Sequence, residues 1–269
     1  MRRRGLTLVE LLIAIVLLGI IGAGITRLLS SQMRFFASGT NARDARAVSR
    51  NALTLTRSEL RMVEPNGIVA AAADSITIRL PYVMGVYCSA NSAMFVPTDS
   101  LTLATAQFGG YAWRDTTAGA LYLYVPSATA LADGASALCT DAGLVMIPGG
   151  IVLTVSPALG MVPTAAPFFL WQTVTYKLAT SVLVPGRLAL WRRAGSAAAE
   201  EVAVPLDTAS RINFYTTGTT SSSAVPSPLN TMRGVEFVLV GESERTSPGK
   251  TTPEESLQRV SIFFRNAVQ

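Results

Sequence analysis

The feature that most constrains this chain is an uninterrupted apolar run near its N-terminus. No polar side chain occurs from Leu11 to Ile25, and the whole apolar stretch, counted from Leu6, is 20 residues long. A helix of that length extends about 30 Å, which is enough to cross the hydrocarbon core of a bilayer. Three arginines, at positions 2 to 4, immediately precede the stretch. By the positive-inside rule they predict a cytoplasmic N-terminus, with everything after Arg27 on the outer side.

Two ordinary explanations of such a run are a secretory signal and a plain signal anchor. A secretory signal ends in a small-residue cleavage site, and Ile25-Thr26-Arg27-Leu28 is a poor one. Glu10 argues against the plain anchor, because a carboxylate inside an apolar span costs about 2–3 kcal/mol near the centre and less near the edge. The glutamate therefore needs a reason of its own.

The residues around Glu10 resemble the signature of the prepilin family, which comprises type IV pilins and type II secretion pseudopilins. That signature is a short basic leader, a glycine, an apolar residue, Thr or Ser, Leu, Val or Ile, and a glutamate. The chain matches it position by position with Gly5-Leu6-Thr7-Leu8-Val9-Glu10. Leu6 is a departure, since the family most often has Phe at that position. The resemblance implies cleavage between Gly5 and Leu6 by a prepilin peptidase, followed by N-methylation of Leu6.

The arrangement of charge around Glu10 has a physical reason. Cleavage removes the three arginines and creates an α-amino group that is cationic near neutral pH. When helices of neighbouring subunits pack together, that ammonium can lie beside Glu10 of a neighbour. Each charge then compensates the other, which sets the axial register of the subunits. Gly19, Gly22 and Gly24 also lie in the span, where they either permit close helix packing or represent ordinary glycine content.

Beyond the span the pattern predicts a stalk helix followed by a β-rich head. Near-helical spacing of apolar residues continues to Val63, and Pro65-Asn66-Gly67 ends it. An arginine stripe on another face of this helix is either a contact surface for acidic neighbours or lipid headgroups, or a solvated face. We predict an α+β pilin fold with a leader at 1–5, a transmembrane half-helix at 6–28, a second half-helix at 29–64 and a periplasmic head at 65–269.

Short alternating or β-branched runs after Gly67 predict antiparallel strands. The predicted strands are Ser75–Leu80, Tyr82–Tyr87, Leu121–Val125, Ile151–Val155, Thr173–Leu178, Arg187–Trp191, Ile212–Tyr215, Val235–Val240 and Arg259–Phe264. Two polar stretches, Thr217–Asn230 and Ser243–Ser256, are predicted to be exposed loops.

The order of features in the head resembles W-type minor pilins and J-type minor pseudopilins. The runs that carry this likeness are 174–178, 188–193, 211–215, 235–239 and 259–266. The resemblance implies a minor subunit that primes, or lies near the tip of, a type IV pilus or a type II secretion pseudopilus. Its implied partners are other pilins or pseudopilins, the prepilin peptidase, the inner-membrane assembly platform and the inner membrane itself.

Composition argues against an enzyme. The chain has no histidine, which removes histidine-based triads, histidine metal ligands and the usual general base. The acid pairs Glu200-Glu201 and Glu254-Glu255 are adjacent in sequence and are predicted to be solvated. We expect no catalytic residue, no metal and no cofactor. Cys88 and Cys139 lie outside the cytoplasm in this reading and are a candidate disulfide, with two free thiols as the alternative.

The competing function is a single-pass membrane-anchored binding module, an adhesin or a DNA-uptake protein with an exposed β domain. Four aromatic residues, Tyr111, Trp113, Trp171 and Trp191, offer such a surface, although core or cross-strand packing also explains them. Nucleic acid is disfavoured, because the net charge of +6 on residues 1–64 falls to −1 on residues 65–269. Phosphate binding needs clustered basic charge, which the head as a whole lacks.

Overall fold

The computed structural model of the chain describes one very long helix and a large antiparallel sheet. The described residues are 8–64, 66–89, 92–95, 107–115, 121–126, 151–154, 162–163, 165–216 and 220–264. Helix α1 runs from Leu8 to Leu60 and contains 53 residues. At 1.5 Å per residue it is about 80 Å long, far longer than the body of an ordinary domain. Most of its length therefore has to project beyond the head.

Thirteen strands are described in the rest of the chain. They are β1 Ile68–Ala72, β2 Ser75–Ser89, β3 Ser92–Phe95, β4 Phe108–Asp115, β5 Leu121–Pro126, β6 Ile151–Thr154, β7 Pro167–Thr180, β8 Leu188–Ala194, β9 Glu200–Leu206, β10 Arg211–Tyr215, β11 Ser221–Ser222, β12 Gly234–Thr246 and β13 Pro253–Phe263. A short 3₁₀ helix at Leu229–Thr231 precedes β12.

All described pairings are antiparallel. The main order is β11-β10-β12-β9-β8-β7-β2-β3-β6. Strand β1 pairs with β2, the hairpin β4–β5 joins through β7, and β13 pairs with β12. Along most of their length β2 and β7 face each other, with a β-bulge between Pro81 and Val83. Strand β13 pairs with β12 from Gly234↔Phe263 to Thr246↔Pro253.

The second half of α1 packs on β12, β13 and β9. Its buried side chains include Ala52, Leu53 and Leu60, which join one apolar core with strand residues such as Phe237 and Leu239. Alternate residues of a strand point to the same face, so β12 presents a continuous apolar row to the helix. The predicted α+β pilin fold, a long helix packed on an antiparallel β head, is confirmed.

The predicted strands coincide with observed ones except at their limits, since Arg187 and Phe264 lie one residue outside β8 and β13, and Val155 lies outside the described residues. The runs predicted as Ser75–Leu80 and Tyr82–Tyr87 form a single strand, β2, because the chain passes Pro81 with a bulge and continues pairing. The helix ends at Leu60, earlier than the predicted Glu64. Met62 N–H donates to the Glu59 carbonyl and Val63 N–H to the Leu60 carbonyl, so the last turn tightens before the proline at position 65.

The loop predicted at Ser243–Ser256 is wrong for most of its length. Strand β12 continues to Thr246 and β13 begins at Pro253, so only the residues between them form a turn. The polar composition misled the prediction because these polar side chains bond to the helix and to each other. In Thr217–Asn230, β11 makes a two-residue pairing with β10, and residues 217–219 lie outside the described part of the chain.

Candidate functional site

The first half of α1 is an apolar surface on which no residue is buried by the described part of the chain. From Leu8 to Phe36 the exposure of the large apolar side chains ranges from 51% at Leu29 to 78% at Leu8. The first buried residue of the helix is Ala45. By length and composition α1 is able to cross a membrane, and none of its most apolar window is buried in the head. Water does not favour such a surface, so a bilayer or other apolar helices have to cover it.

Glu10 lies in the first turn of α1, on the exposed surface of the apolar half. A carboxylate there is favourably placed relative to the helix dipole, whose N-terminal end is positive. Gly5 and Leu6, the predicted cleavage and methylation residues, lie outside the described residues. Their roles stay predictions.

The helix comes close to the sheet where β12 carries a glycine. A Cβ atom built on Gly241 would lie 2.2 Å from the Ala45 carbonyl oxygen and 3.1 Å from the Ser49 nitrogen. Ala45 and Ser49 are themselves fully buried. Small residues on both elements therefore allow backbone to lie against backbone. A glycine interrupting an otherwise apolar strand is the sequence signal that could have predicted this contact.

A buried ion pair joins the C-terminal end of α1 to the head. The Glu59 carboxylate accepts hydrogen bonds from the Tyr176 hydroxyl, from Arg192 Nε at 3.2 Å and from Arg192 Nη2 at 2.8 Å. The side chains of Glu59 and Arg192 are 11% and 22% exposed. Burial, and then the charge of Glu59, raise the pKa of Tyr176, so its hydroxyl keeps the proton that it donates.

A second polar cluster joins the middle of α1 to the turn between β12 and β13. Glu254 Oε1 accepts from Ser38 Oγ of the helix at 2.7 Å, from Ser247 Oγ at 2.9 Å and from Lys250 Nζ at 2.6 Å. Asn41 Nδ2 donates to Ser247 Oγ at 3.0 Å. The hydrogen bond from Lys250, followed by those from the two serines, lowers the pKa of Glu254 to about 2.

The predicted solvation of the two acid pairs is wrong for one member of each. Besides Glu254, Glu201 accepts hydrogen bonds from Ser181 Oγ at 2.7 Å and from the backbone nitrogens of the β7–β8 turn. Both carboxylates hold turns in place and show no paired acid–base geometry. Neither role has a sequence signal, because each depends on which turn the fold brings near.

The other candidates divide between core and head surface. Tyr111 is fully buried and Trp171 is 4% exposed, which confirms core packing for these two, whereas Trp113 and Trp191 are half-buried. Cys88 is 2% exposed at the end of β2 and takes part in a disulfide. Cys139 lies outside the described residues. Its pairing with Cys88 stays a proposal.

Comparison with known proteins identifies the N-terminal segment. Residues 1–26 match the family model described as the prokaryotic N-terminal methylation motif. No curated protein matches the chain, and no solved structure does. The motif, on a long apolar helix packed against an antiparallel head, supports a type IV pilin-like protein anchored in a membrane.

Proposed function

We propose that this pilin-like chain is a minor pilin or minor pseudopilin of a double-membraned bacterium. It enters a type IV pilus or a type II secretion pseudopilus through α1, in a priming role or near the tip. The observation that carries the proposal is the methylation motif placed at the start of a helix whose first half exposes its apolar side chains in the described part of the chain. A filament core of parallel helices supplies that cover after the subunit leaves the bilayer.

In this proposal the chain has four parts with separate tasks. Residues 1–5 form a leader that stays cytoplasmic and is removed, and residues 6–28 hold the subunit in the inner membrane. Residues 29–64 connect the span to the periplasmic head at 65–269. The prepilin peptidase and the inner-membrane assembly platform meet the N-terminal segment, and the role of the chain is structural. A disulfide between Cys88 and Cys139, the two cysteines of the chain, would close a loop in the head.

Glu10 gives the assembly step its specificity. Cleavage behind Gly5 leaves an ammonium on Leu6, one helical turn from Glu10 of the same chain and able to approach Glu10 of a neighbour. In apolar surroundings an unpaired carboxylate is costly, and a subunit that is out of register leaves both charges unpaired. The pair therefore favours one axial offset between subunits.

The proposal is tested by intact-mass measurement and N-terminal sequencing of the protein from its native membranes. We expect a chain that begins at Leu6 and carries one added methyl group. A Gly5→Leu variant is expected to retain its leader. A wild-type chain that still carries Arg2 to Gly5 would show a plain signal anchor, and one that starts beyond Ile25 would show a secreted protein.

The register role of Glu10 needs a separate experiment. Glu10→Ala is expected to insert in the membrane and to be processed, yet to be recovered in sheared filaments at a small fraction of the wild-type amount. Asp44→Ala is the matched control, because Asp44 is an exposed acid on the same helix outside the apolar half. Normal recovery of Glu10→Ala, or equal loss of both variants, would contradict the register role.

A further inference from the structure

A groove opens between the exposed side of α1 and the edge of the sheet. Its volume is about 200 Å³, and it is open to solvent. Helix residues form one wall and the middle of β13 forms the other. The lining residues are Arg50, Leu53, Thr54 and Arg57 of the helix and Gln258, Arg259 and Val260 of the strand.

Two of the three arginines that line this groove, Arg50 and Arg57, have no ion-pair partner within the described part of the chain, whereas the third, Arg259, interacts electrostatically with Glu236. Arg50 and Arg57 are exposed, and neither belongs to any of the four ion pairs found there. Three carboxylates along the contact between helix and head have cations of their own. Glu59 is paired with Arg192, Glu242 with Arg187 and Glu254 with Lys250. Since no described acid pairs with Arg50 or Arg57, their partner is sought in another molecule.

The strand wall of the groove is a sheet edge. Strand β13 pairs with β12 along its whole length, and no described strand lies on its other side. Such an edge leaves a row of backbone N–H and C=O groups able to pair with an added extended segment. β13 runs in the same direction as α1, since Glu254 at its start bonds to Ser38 and Val260 near its end packs in the core with Leu53. A strand added to β13 would thus lie along the arginine face of the helix.

The spacing of the arginines suits an extended acidic segment. Arg50 and Arg57 are seven residues apart, which is about 10 Å along a helix and places both on one face. Acids at alternate positions of a strand are about 7 Å apart on one face, within reach of two long arginine side chains. We propose that the groove binds an extended acidic segment of a partner protein, which adds to β13 as a strand and pairs its carboxylates with Arg50 and Arg57.

The position of the groove excludes the lipid headgroups of the anchoring membrane as its ligand. Arg50 is 22 residues beyond Leu28, where the predicted span ends. At 1.5 Å per residue this is about 33 Å along a continuous helix. The headgroup region on one side of a bilayer is only about 5–7 Å deep. The partner is therefore sought among proteins outside the membrane. This interaction goes beyond the filament role and does not require processing of the leader.

The experiment uses the full chain in detergent micelles and fluorescein-labelled nine-residue peptides that alternate glutamate with valine. Fluorescence anisotropy is expected to show saturable binding, with a much weaker signal for a peptide that alternates lysine with valine. The R50E/R57E double variant is expected to bind the glutamate peptide about tenfold less tightly, as the loss of two exposed charge contacts implies. R114E/R193E is the matched control, since it makes the same charge change at exposed positions of the head outside the groove, and it is expected to bind like wild type.

Strand addition is tested by methylating alternate backbone nitrogens of the glutamate peptide, in two versions that differ in which set is blocked. One version is expected to lose binding and the other to keep it, because only one row of N–H groups faces β13. Equal binding of both versions would overturn strand addition, and equal loss in the two double variants would overturn the groove as the site. Stronger binding of DNA or of anionic vesicles than of the peptide, with the same dependence on Arg50 and Arg57, would overturn the protein partner. Unchanged melting temperatures of the variants exclude unfolding as the cause.

Discussion

The two halves of α1 belong to one continuous helix and have opposite surroundings. From Leu8 to Phe36 its large apolar side chains are all more than half exposed. From Ser38 onward small and apolar residues of the helix lie on the sheet. Polar contacts hold both ends of this helix–sheet contact, from Ser38 to Glu254 at one end and from Glu59 to Arg192 at the other. The second half is part of the head, whereas the apolar side chains of the first half are not buried by the described residues of the chain. Stability of the head and assembly through the helix are therefore separable properties.

This separation has a physical cause in residue size and polarity. The exposed half carries leucine, isoleucine and valine on every side, which suits a bilayer or a bundle of like helices. The second half of α1 places Ala45, Ser49 and Ala52 against the sheet and arginines on the outside. Large residues at these three positions would hold the helix away from β12.

The largest effect is expected from Glu59→Ala. It leaves the Arg192 guanidinium largely buried without its carboxylate and removes the acceptor of the Tyr176 hydroxyl. Breaking a buried pair costs about 3 kcal/mol, so the free energy of unfolding should fall by about that amount. Urea unfolding followed by tryptophan fluorescence measures the change. Ser58→Ala, an exposed change one residue away, is the control, and a loss in Glu59→Ala no larger than in Ser58→Ala would contradict the role of the pair.

Gly241→Ala is expected to have the next largest effect, about 2 kcal/mol of destabilisation. The added methyl group meets the Ala45 carbonyl of the helix backbone, which cannot move aside like a flexible side chain. Gly39→Ala is the matched control on the helix side, because a Cβ at Gly39 meets nothing within 4 Å. Alanine is the better helix former by about 1 kcal/mol, so that change should stabilise slightly. Destabilisation by both alanines to the same extent would contradict a close contact at Gly241.

The fold class could be predicted from the sequence. The polar contacts that join the helix to the head could not. Short runs of β-branched and other apolar residues, as in Val235–Val240, predicted strands correctly because their burial is recorded in the residues themselves. Strand β9 was missed, since it begins with two glutamates and contains Pro205. Glu59 carried a weak signal, as an acid flanked by the buried Thr56 and Leu60. Glu254 carried none, because its role depends on a turn and a helix that are 216 residues apart in sequence.

A smaller effect on stability, with a defined pH dependence, is expected from substitution of Glu254. The pKa of Glu254 is about 2 in the folded protein, below the value of about 4.3 for an unperturbed glutamate. A lowered folded-state pKa adds stability above about pH 4.3, and the addition is lost as pH falls through about 2. The melting temperature of wild type should therefore exceed that of Glu254→Gln at pH 5, and the two should converge by pH 2.

The difference between the two proteins is the informative quantity in that experiment, because other acids titrate as well. Burial, for example, raises the pKa of Glu242, which makes its effect on stability opposite in sign. Glu254→Gln keeps Glu242 unchanged, so subtraction removes its contribution. High salt should reduce the difference, since the partner Lys250 is about half exposed. A constant difference from pH 5 to pH 2 would show that the carboxylate charge is not what holds the turn.

The smallest effect is expected from removing the residues before Arg27, which form most of the exposed half of the helix. A chain that starts at Arg27 keeps Ser38, Asn41 and every buried residue of α1. Its melting temperature should lie within about 2 °C of the full chain in the same detergent, which is less than about 1 kcal/mol for a head of this size. The apolar residues that it lacks are not buried by the described part of the head, so their removal leaves the stability of the helix–sheet contact unchanged. A fall of 8 °C or more, about 2 kcal/mol or more by the same scaling, would show that the first half also stabilises the head, and the separation of stability from assembly would then be wrong.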